Sequence, residues 1–194
     1  YTFNFGPGKD ATQEGTVRLR AVGDKTSVTI TLKGAVAGVA QPAHIHEGAC
    51  PGVGAVKFPL TNVVDGASTT TVDAKFADLL TGGFGINVHK STTESAVYVA
   101  CVGIPQGSVV TMDKGRDGSL PGAAILLAQG AKTEVNLFLT PNVGLVQPAH
   151  IHEGACPGVL AVKFPLTNIE EGKSKTVVDA ALADLFKGGF ALNS

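Results

Sequence analysis

A long internal repeat limits what this chain can fold into more than any other feature of its sequence. The segment QPAHIHEGACPGVGAVKFPLTN at 41–62 returns as QPAHIHEGACPGVLAVKFPLTN at 147–168. The two copies differ at a single position, where Gly54 is replaced by Leu160. The same offset of 106 residues continues through VDAKFADLLTGGFGIN and VDAALADLFKGGFALN. Two stretches this similar are expected to fold in the same way.

The length of the period indicates whole domains rather than smaller repeated units. Solenoid repeats are about 20 to 50 residues long, and this repeat is well beyond that range. We therefore predict a first domain at 1–106 and a second at 107–194. A link around 103–119 combines turn residues, among them Gly115 and Gly118, with the first strand of the second domain.

Alternating side chains predict an all-β fold. The runs 17–21 and 28–32 place apolar residues at every second position, which is typical of a strand with one buried face, and Gly23 with Asp24 predicts the hairpin turn between them. Only 74–80 has the pattern of a short helix. Short strands separated by frequent turns predict two tandem Greek-key β-sandwich or barrel domains. Further strands are expected at 2–5, 43–46, 56–60, 69–72, 84–89 and 96–102.

Composition and charge exclude several classes of partner. The formal net charge is −1 and the basic residues are scattered singly, so the chain lacks the positive patch that nucleic acid or an anionic membrane surface requires. No run approaches the ~20 apolar residues of a membrane-spanning helix. We expect neither nucleic-acid binding nor membrane insertion.

Histidines in a His-x-His pattern indicate a metal site. His44 and His46 are two residues apart on a predicted strand, so both imidazoles point to the same face, with His89 as a third candidate. The pair returns as His150 and His152 in the second domain. Imidazole suits zinc, copper, iron or nickel, and the pattern alone does not choose among them.

Three cysteines give one pair and one left over. Cys50 follows the His-x-His strand and Cys101 lies on the last strand of the first domain, which makes a disulfide the natural interpretation and two buried free thiols the alternative. A disulfide would place the protein outside a reducing cytosol, in a secreted, extracellular or periplasmic setting. The offset puts the counterparts of His89 and Cys101 past Ser194. We therefore expect a second domain that is truncated in this chain, with the partner of Cys156 beyond it.

The order of these motifs resembles two known families. The run GTVRLRAVGDKTSVTITLKG, followed by HIHEGAC, NVHKS and VYVACVGIP, is similar to copper-zinc superoxide dismutases. The DLLTGG and NVH segments are closer to CHRD domains, the modules named after chordin that occur in many secreted bacterial proteins and share an HIH and NVH pattern.

The dismutase resemblance implies roles for individual residues. His44, His46 and His89 match the copper ligands, and Cys50 with Cys101 matches the internal disulfide. No histidine lies between Cys50 and the NVH segment, so the bridging imidazolate and the zinc site have no counterparts. The arginine that guides superoxide is replaced by Tyr98, which argues against dismutase catalysis.

Our leading hypothesis is a secreted copper-binding protein that retains, buffers or delivers copper, with zinc as the second choice of metal. Glu47, and Glu153 in the second domain, are predicted to act as acceptors that orient an imidazole. No catalytic residues are predicted. The expected metal ligands are His44, His46, His89, His150 and His152.

Two alternatives remain open at this point. The first is an extracellular filament or adhesion subunit. If Ser194 is the true end, the second domain has an open edge, and segment 2–5 of another copy would add to it head to tail. The second is a superoxide dismutase that works with copper alone. Glycines such as Gly52 and Gly82 are interpreted as turn residues rather than as a phosphate-binding loop.

Overall fold

The computed structural model describes residues 1–6, 12–112, 121–140 and 144–194. They form antiparallel sheets with two short helices, and the predicted all-β class is confirmed. In chain order the elements are β1 (Thr2–Asn4), β2 (Glu14–Val22), β3 (Lys25–Lys33), β4 (Gln41–Glu47), β5 (Val56–Val63), β6 (Ala67–Val72), α1 (Phe76–Thr81), β7 (Phe84–His89), β8 (Tyr98–Gly103), β9 (Gly107–Met112), β10 (Gly122–Gln129), β11 (Lys132–Leu139), β12 (His150–Glu153), β13 (Val162–Pro165), β14 (Lys173–Val178), α2 (Leu182–Lys187) and β15 (Phe190–Asn193).

The chain divides into two compact units, Tyr1–Gln106 and Gly107–Ser194. In the first unit one sheet has the order β1-β2-β3-β6 and the other the order β5-β4-β7-β8. In the described part of the chain no sheet closes into a barrel, so the barrel form of the prediction is not observed. Gly115 and Gly118 of the predicted link lie outside the described residues.

Alternation of apolar and polar residues builds the first sheet of this unit. Val17 and Leu19 on β2 and Val28 and Ile30 on β3 are buried, while their neighbours on each strand are more exposed. The two strands pair along their whole length up to the turn, where Gly23 adopts a φ of 59°. Glycine occupies this left-handed region without steric cost, so the hairpin can turn within two residues.

The second sheet carries the histidines and has a regular centre. Strands β4 and β7 pair without interruption, and the register shifts occur only against the outer strands, between β4 and β5 and between β7 and β8. Ile45 and Ile86 lie opposite each other on the buried face and are wholly inaccessible to solvent. The regular pairing of β4 with β7 therefore determines which of their side chains lie together on the other face of this sheet.

Segment 2–5, suggested above as a donor strand for another copy, is engaged within its own unit. Thr2 to Asn4 form β1, which pairs with β2, and the Phe5 side chain is buried. Donation to a second molecule would first require these contacts to break.

The second unit repeats the arrangement with sheets of order β14-β11-β10-β9 and β13-β12-β15. Its core joins side chains from both sheets, with Leu126 and Val135 from the first meeting Ile151 from the second. Helix α2 contributes Leu185, as α1 contributes Leu79 in the first unit. None of the helices in the described chain is long and apolar enough to cross a membrane.

Candidate metal centre

Three histidine side chains meet on one face of the second sheet. His44 and His46 lie on β4, and His89 ends β7. His44 is paired across the ladder with Asn87, two residues before His89, so all three imidazoles project from the same side. One nitrogen from each ring lies within 4.8 Å of the other two, and His44 Nδ1 is 3.1 Å from His89 Nε2. This is the only grouping of three potential ligands in the part of the chain that the structure describes.

Backbone carbonyls decide which nitrogen two of the rings present. The Nδ1–H of His46 donates to the carbonyl of Gly54 at 2.8 Å, and the Nδ1–H of His89 donates to the carbonyl of Ser95. In each ring the lone pair is therefore on Nε2, which can accept a hydrogen bond or bind a metal ion. His46 Nε2 is buried and has no hydrogen-bond partner, which is uncommon for a buried polar atom. A metal ion would satisfy this atom.

Two of the three histidines have lowered pKa values. Burial lowers the pKa of His44, and positive charge on His89 or His46 would lower it further. Burial also lowers the pKa of His89. The hydrogen bond to the Ser95 carbonyl raises this pKa in part, and positive charge on His46 would lower it further. Since a metal binds the unprotonated nitrogen, these shifts favour the form of the ring that can act as a ligand.

A disulfide joins the loop after β4 to strand β8 at the edge of this site. Cys50 and Cys101 are bonded, with their Cα atoms 5.8 Å apart, so the predicted bridge is confirmed and the alternative of two free thiols is wrong. Cys101 lies on β8, opposite Asn87 of β7, and Cys50 belongs to the loop that follows β4. The bridge therefore holds that loop against the strand that neighbours the third ligand.

Part of the first unit matches a known family model. Residues 5–95 match the CHRD domain. The CHRD match takes in His44, His46 and His89, together with Cys50 and Ser95, and it supports the CHRD part of the resemblance. A comparison with curated proteins finds no match to the chain.

Within the CHRD match, Gly85 lets the loop after β4 approach β7. A Cβ atom built at Gly85 would lie 2.8 Å from Val53 Cγ1, 3.0 Å from the carbonyl oxygen of Gly48 and 3.4 Å from the nitrogen of Cys50. The counterpart in the second unit is Ala191. In the first unit the disulfide fixes Cys50 of this loop to Cys101, so the loop has little room to move away from a side chain added at position 85.

We expect Gly85→Ala to destabilise the first unit by about 1 to 3 kcal/mol, because the added methyl overpacks a loop that cannot retreat. The same substitution made together with Cys50→Ala and Cys101→Ala should cost clearly less, since the loop is then free to move. Urea unfolding of the four proteins measures both costs. An equal cost in both backgrounds would show that the disulfide does not create the constraint.

The two acidic residues predicted to orient an imidazole lie beside lysines. Glu47 Oε1 is 3.2 Å from Lys57 Nζ, and Glu153 Oε1 is 3.0 Å from Lys163 Nζ. Both pairs are well exposed to solvent. For His46 and His89 the orienting acceptors in this structure are the backbone carbonyls, and an additional role for the glutamates stays a prediction.

In the described residues, the second unit has the His-x-His pair but no cluster of three histidines. The ring centroids of His150 and His152 are 5.6 Å apart, against 5.5 Å for His44 and His46. The Nδ1–H of His152 donates to the Leu160 carbonyl at 2.9 Å, as its counterpart does in the first unit. Within the described residues these two histidines have no third imidazole beside them.

Several residues beside the three histidines were not predicted from sequence. The carbonyls of Gly54 and Ser95 act through the backbone, which any residue type provides, so no sequence signal marks them. Asn87 is wholly buried, and its Nδ2 is 3.3 Å from His89 Nε2. Its place two residues before a ligand histidine on a strand was the available signal, because residues at that spacing share a face.

Proposed function

We propose that this chain is a secreted copper-binding protein that retains, buffers or delivers the ion through His44, His46 and His89. The observation that carries the proposal is the buried Nε2 of His46. It has no hydrogen-bond partner, and its ring belongs to a cluster in which one nitrogen each of His44, His46 and His89 lies within 4.8 Å of the other two. The disulfide is compatible with a location outside the reducing cytosol.

We favour copper over zinc as the metal of this site. Three neutral imidazole nitrogens suit Cu(I) in a three-coordinate site, and Cu(II) when further ligands are added. Three imidazoles can also hold zinc, so the preference rests on the resemblance, in which His44, His46 and His89 match copper ligands and the zinc site has no counterpart. Copper, when bound, would supply exchange between two oxidation states. The chain's own part is to orient two rings through the carbonyls of Gly54 and Ser95 and to shield the nitrogens by burial.

We further propose that each unit has the Greek-key arrangement of copper-zinc superoxide dismutases and that the two are tandem copies of one module. In the first unit the evidence in favour is a His-x-His pair on a central strand, a third histidine on the neighbouring strand and a disulfide joining the intervening loop to the next strand. In the second unit it is the repeated sequence at an offset of 106 residues, with the same His-x-His pair on β12. Copper binding without turnover remains our choice, because Tyr98 stands where the resemblance requires an arginine.

The test is metal analysis of the protein and of the double variant His44→Ala, His46→Ala after loading with copper and removal of weakly held ion. The wild-type chain should retain about one tightly bound copper, and the variant almost none, because a single imidazole is left. Tyrosine fluorescence should show that the variant is folded, since Tyr1 and Tyr98 both belong to the first unit.

The matched control for this test is His150→Ala, His152→Ala, which removes the same pair from the second unit. It should leave the tightly bound copper in place, because only two imidazoles meet there in the described chain. An unchanged copper content in His44→Ala, His46→Ala would overturn the proposed function.

A further inference from the structure

Asn87 is a buried amide on the metal face that has no assigned role. Its side chain is inaccessible to solvent and lies between His44 on β4 and Cys101 on β8, its partners across the two ladders. Its Nδ2 is 3.3 Å from His89 Nε2, and its Oδ1 is buried without a hydrogen-bond partner. A buried carbonyl oxygen without a partner is costly and therefore needs an explanation.

The second unit shows the same unsatisfied atom at the same repeat position. Asn193 is the counterpart of Asn87 and lies opposite His150, as Asn87 lies opposite His44. Its Oδ1 is also buried without a partner. What distinguishes Asn87 is its neighbour, because its amide contacts His89, the third histidine of the cluster, so a ligand held by the histidines is within reach of that amide.

The chemistry of His89 indicates when that oxygen would be used. Because the Nδ1–H of His89 donates to Ser95, its Nε2 carries a lone pair that can accept a hydrogen bond from the Asn87 amide, which lies beside it together with His44 Nδ1. An ion bound at Nε2 takes that lone pair, and the amide N–H then faces a positive charge with no acceptor. A half-turn about the Cβ–Cγ bond exchanges nitrogen for oxygen at the same place.

We propose that Asn87 is a fourth metal-facing group of this site, with its amide oxygen turned to the ion, and that it favours Cu(II) over Cu(I). This inference rests on the proposed function. An amide oxygen is a harder donor than imidazole, so it stabilises the more highly charged, harder ion more than the softer Cu(I). Without metal, the same side chain donates its N–H to His89 and occupies the lone pair. Asn87 thus sets the oxidation state that the site prefers.

The experiment compares Asn87→Leu, which removes the oxygen at similar size, with Asn87→Asp, which keeps an oxygen and adds charge. Competition with chelators gives separate affinities for Cu(II) and Cu(I). For Asn87→Leu we expect Cu(II) to bind about 10- to 100-fold more weakly, with Cu(I) binding nearly unchanged. Asn87→Asp should bind Cu(II) at least as tightly as the wild type. The matched control Asn193→Leu should change neither affinity.

A spectroscopic measurement on the wild-type protein tests the inference even if Asn87→Leu folds poorly. With ¹⁵N placed only in asparagine, pulsed electron paramagnetic resonance of the Cu(II) form should show coupling to an amide nitrogen, because ligation by Oδ1 puts Nδ2 two bonds from the ligand atom. Asn193→Leu should keep that coupling. Because Nδ2 lies close to His89 even without ligation, the decisive signal is the isotropic, through-bond part of the coupling. A purely dipolar coupling, or none, would overturn the inference.

The outcomes separate this inference from the function on which it rests. If the wild-type chain retains no copper, or retains it in His44→Ala, His46→Ala, the proposed function fails. If the histidines hold copper but Asn87→Leu binds Cu(II) as the wild type does, or loses affinity for both ions equally, only the role of Asn87 fails.

Discussion

Replacing Cys50 and Cys101 by alanine is expected to lower the free energy of unfolding of the first unit by about 4 kcal/mol. The bridge spans 51 residues and so removes a large amount of conformational freedom from the unfolded chain. It also anchors the loop after β4, whose Gly54 carbonyl orients His46. Removing it should therefore weaken copper binding as well as the fold.

The measurement can follow the first unit alone. The chain has no tryptophan, and both tyrosines, Tyr1 and Tyr98, belong to the first unit, so tyrosine fluorescence during urea unfolding reports that unit. The matched control is Cys156→Ala, which removes an exposed free thiol and should leave the transition unchanged. A loss of less than about 1 kcal/mol for the double variant would contradict the expectation.

Ile45→Ala should destabilise the first unit by about 2 to 5 kcal/mol, the range for truncating a large buried aliphatic side chain. Ile45 separates the two histidines of β4 but points the other way, into the core, where it is inaccessible to solvent. It lies opposite Phe58 on β5 and Ile86 on β7. Truncation would leave a cavity at the centre of the strand that positions both ligands.

The control for this second prediction is Ile45→Val, which removes one methylene and should cost about 0.5 to 1.5 kcal/mol. The tyrosine-monitored urea transition again gives both values. Copper affinity should follow the same order, wild type above Ile45→Val above Ile45→Ala, because the strand is shared. A copper affinity that falls in Ile45→Val as far as in Ile45→Ala would show that cavity size at this position does not govern the site.

Contacts between residues that are close in sequence could be predicted for this site. Contacts between residues far apart in sequence could be predicted only in part. The two-residue period of a strand is sufficient to put His44 and His46 on one face. His89 is 45 residues from His44. Its place beside them depends on which strands pair, and this came from the resemblance rather than from periodicity. The disulfide was predictable because Cys50 and Cys101 are the only cysteines of the first unit.

Other features depend on geometry that residue types do not encode. Backbone carbonyls orient two rings, and every residue has one. The need for glycine at position 85 arises from the path of a loop more than thirty positions earlier in the chain. The choice between an open sheet and a closed barrel depends on how edge strands pair, and the alternation of side chains is the same in both.

The three ligands differ in how firmly the fold holds them. His44 and His46 lie inside a strand that is paired on both sides, whereas the ring of His89 is steadied by Ser95 in an exposed turn that the surface pair Lys90 and Glu94 closes at 2.7 Å. Hydrogen bonds from Lys90 N to Val97 O and from Glu94 N to Ser91 Oγ also close the turn, so opening it breaks these few contacts and leaves the pairing of β4 intact. An ion held here would leave stepwise, with the bond to His89 breaking first. An acceptor protein approaching from that side could take the ion before its bonds to His44 and His46 break.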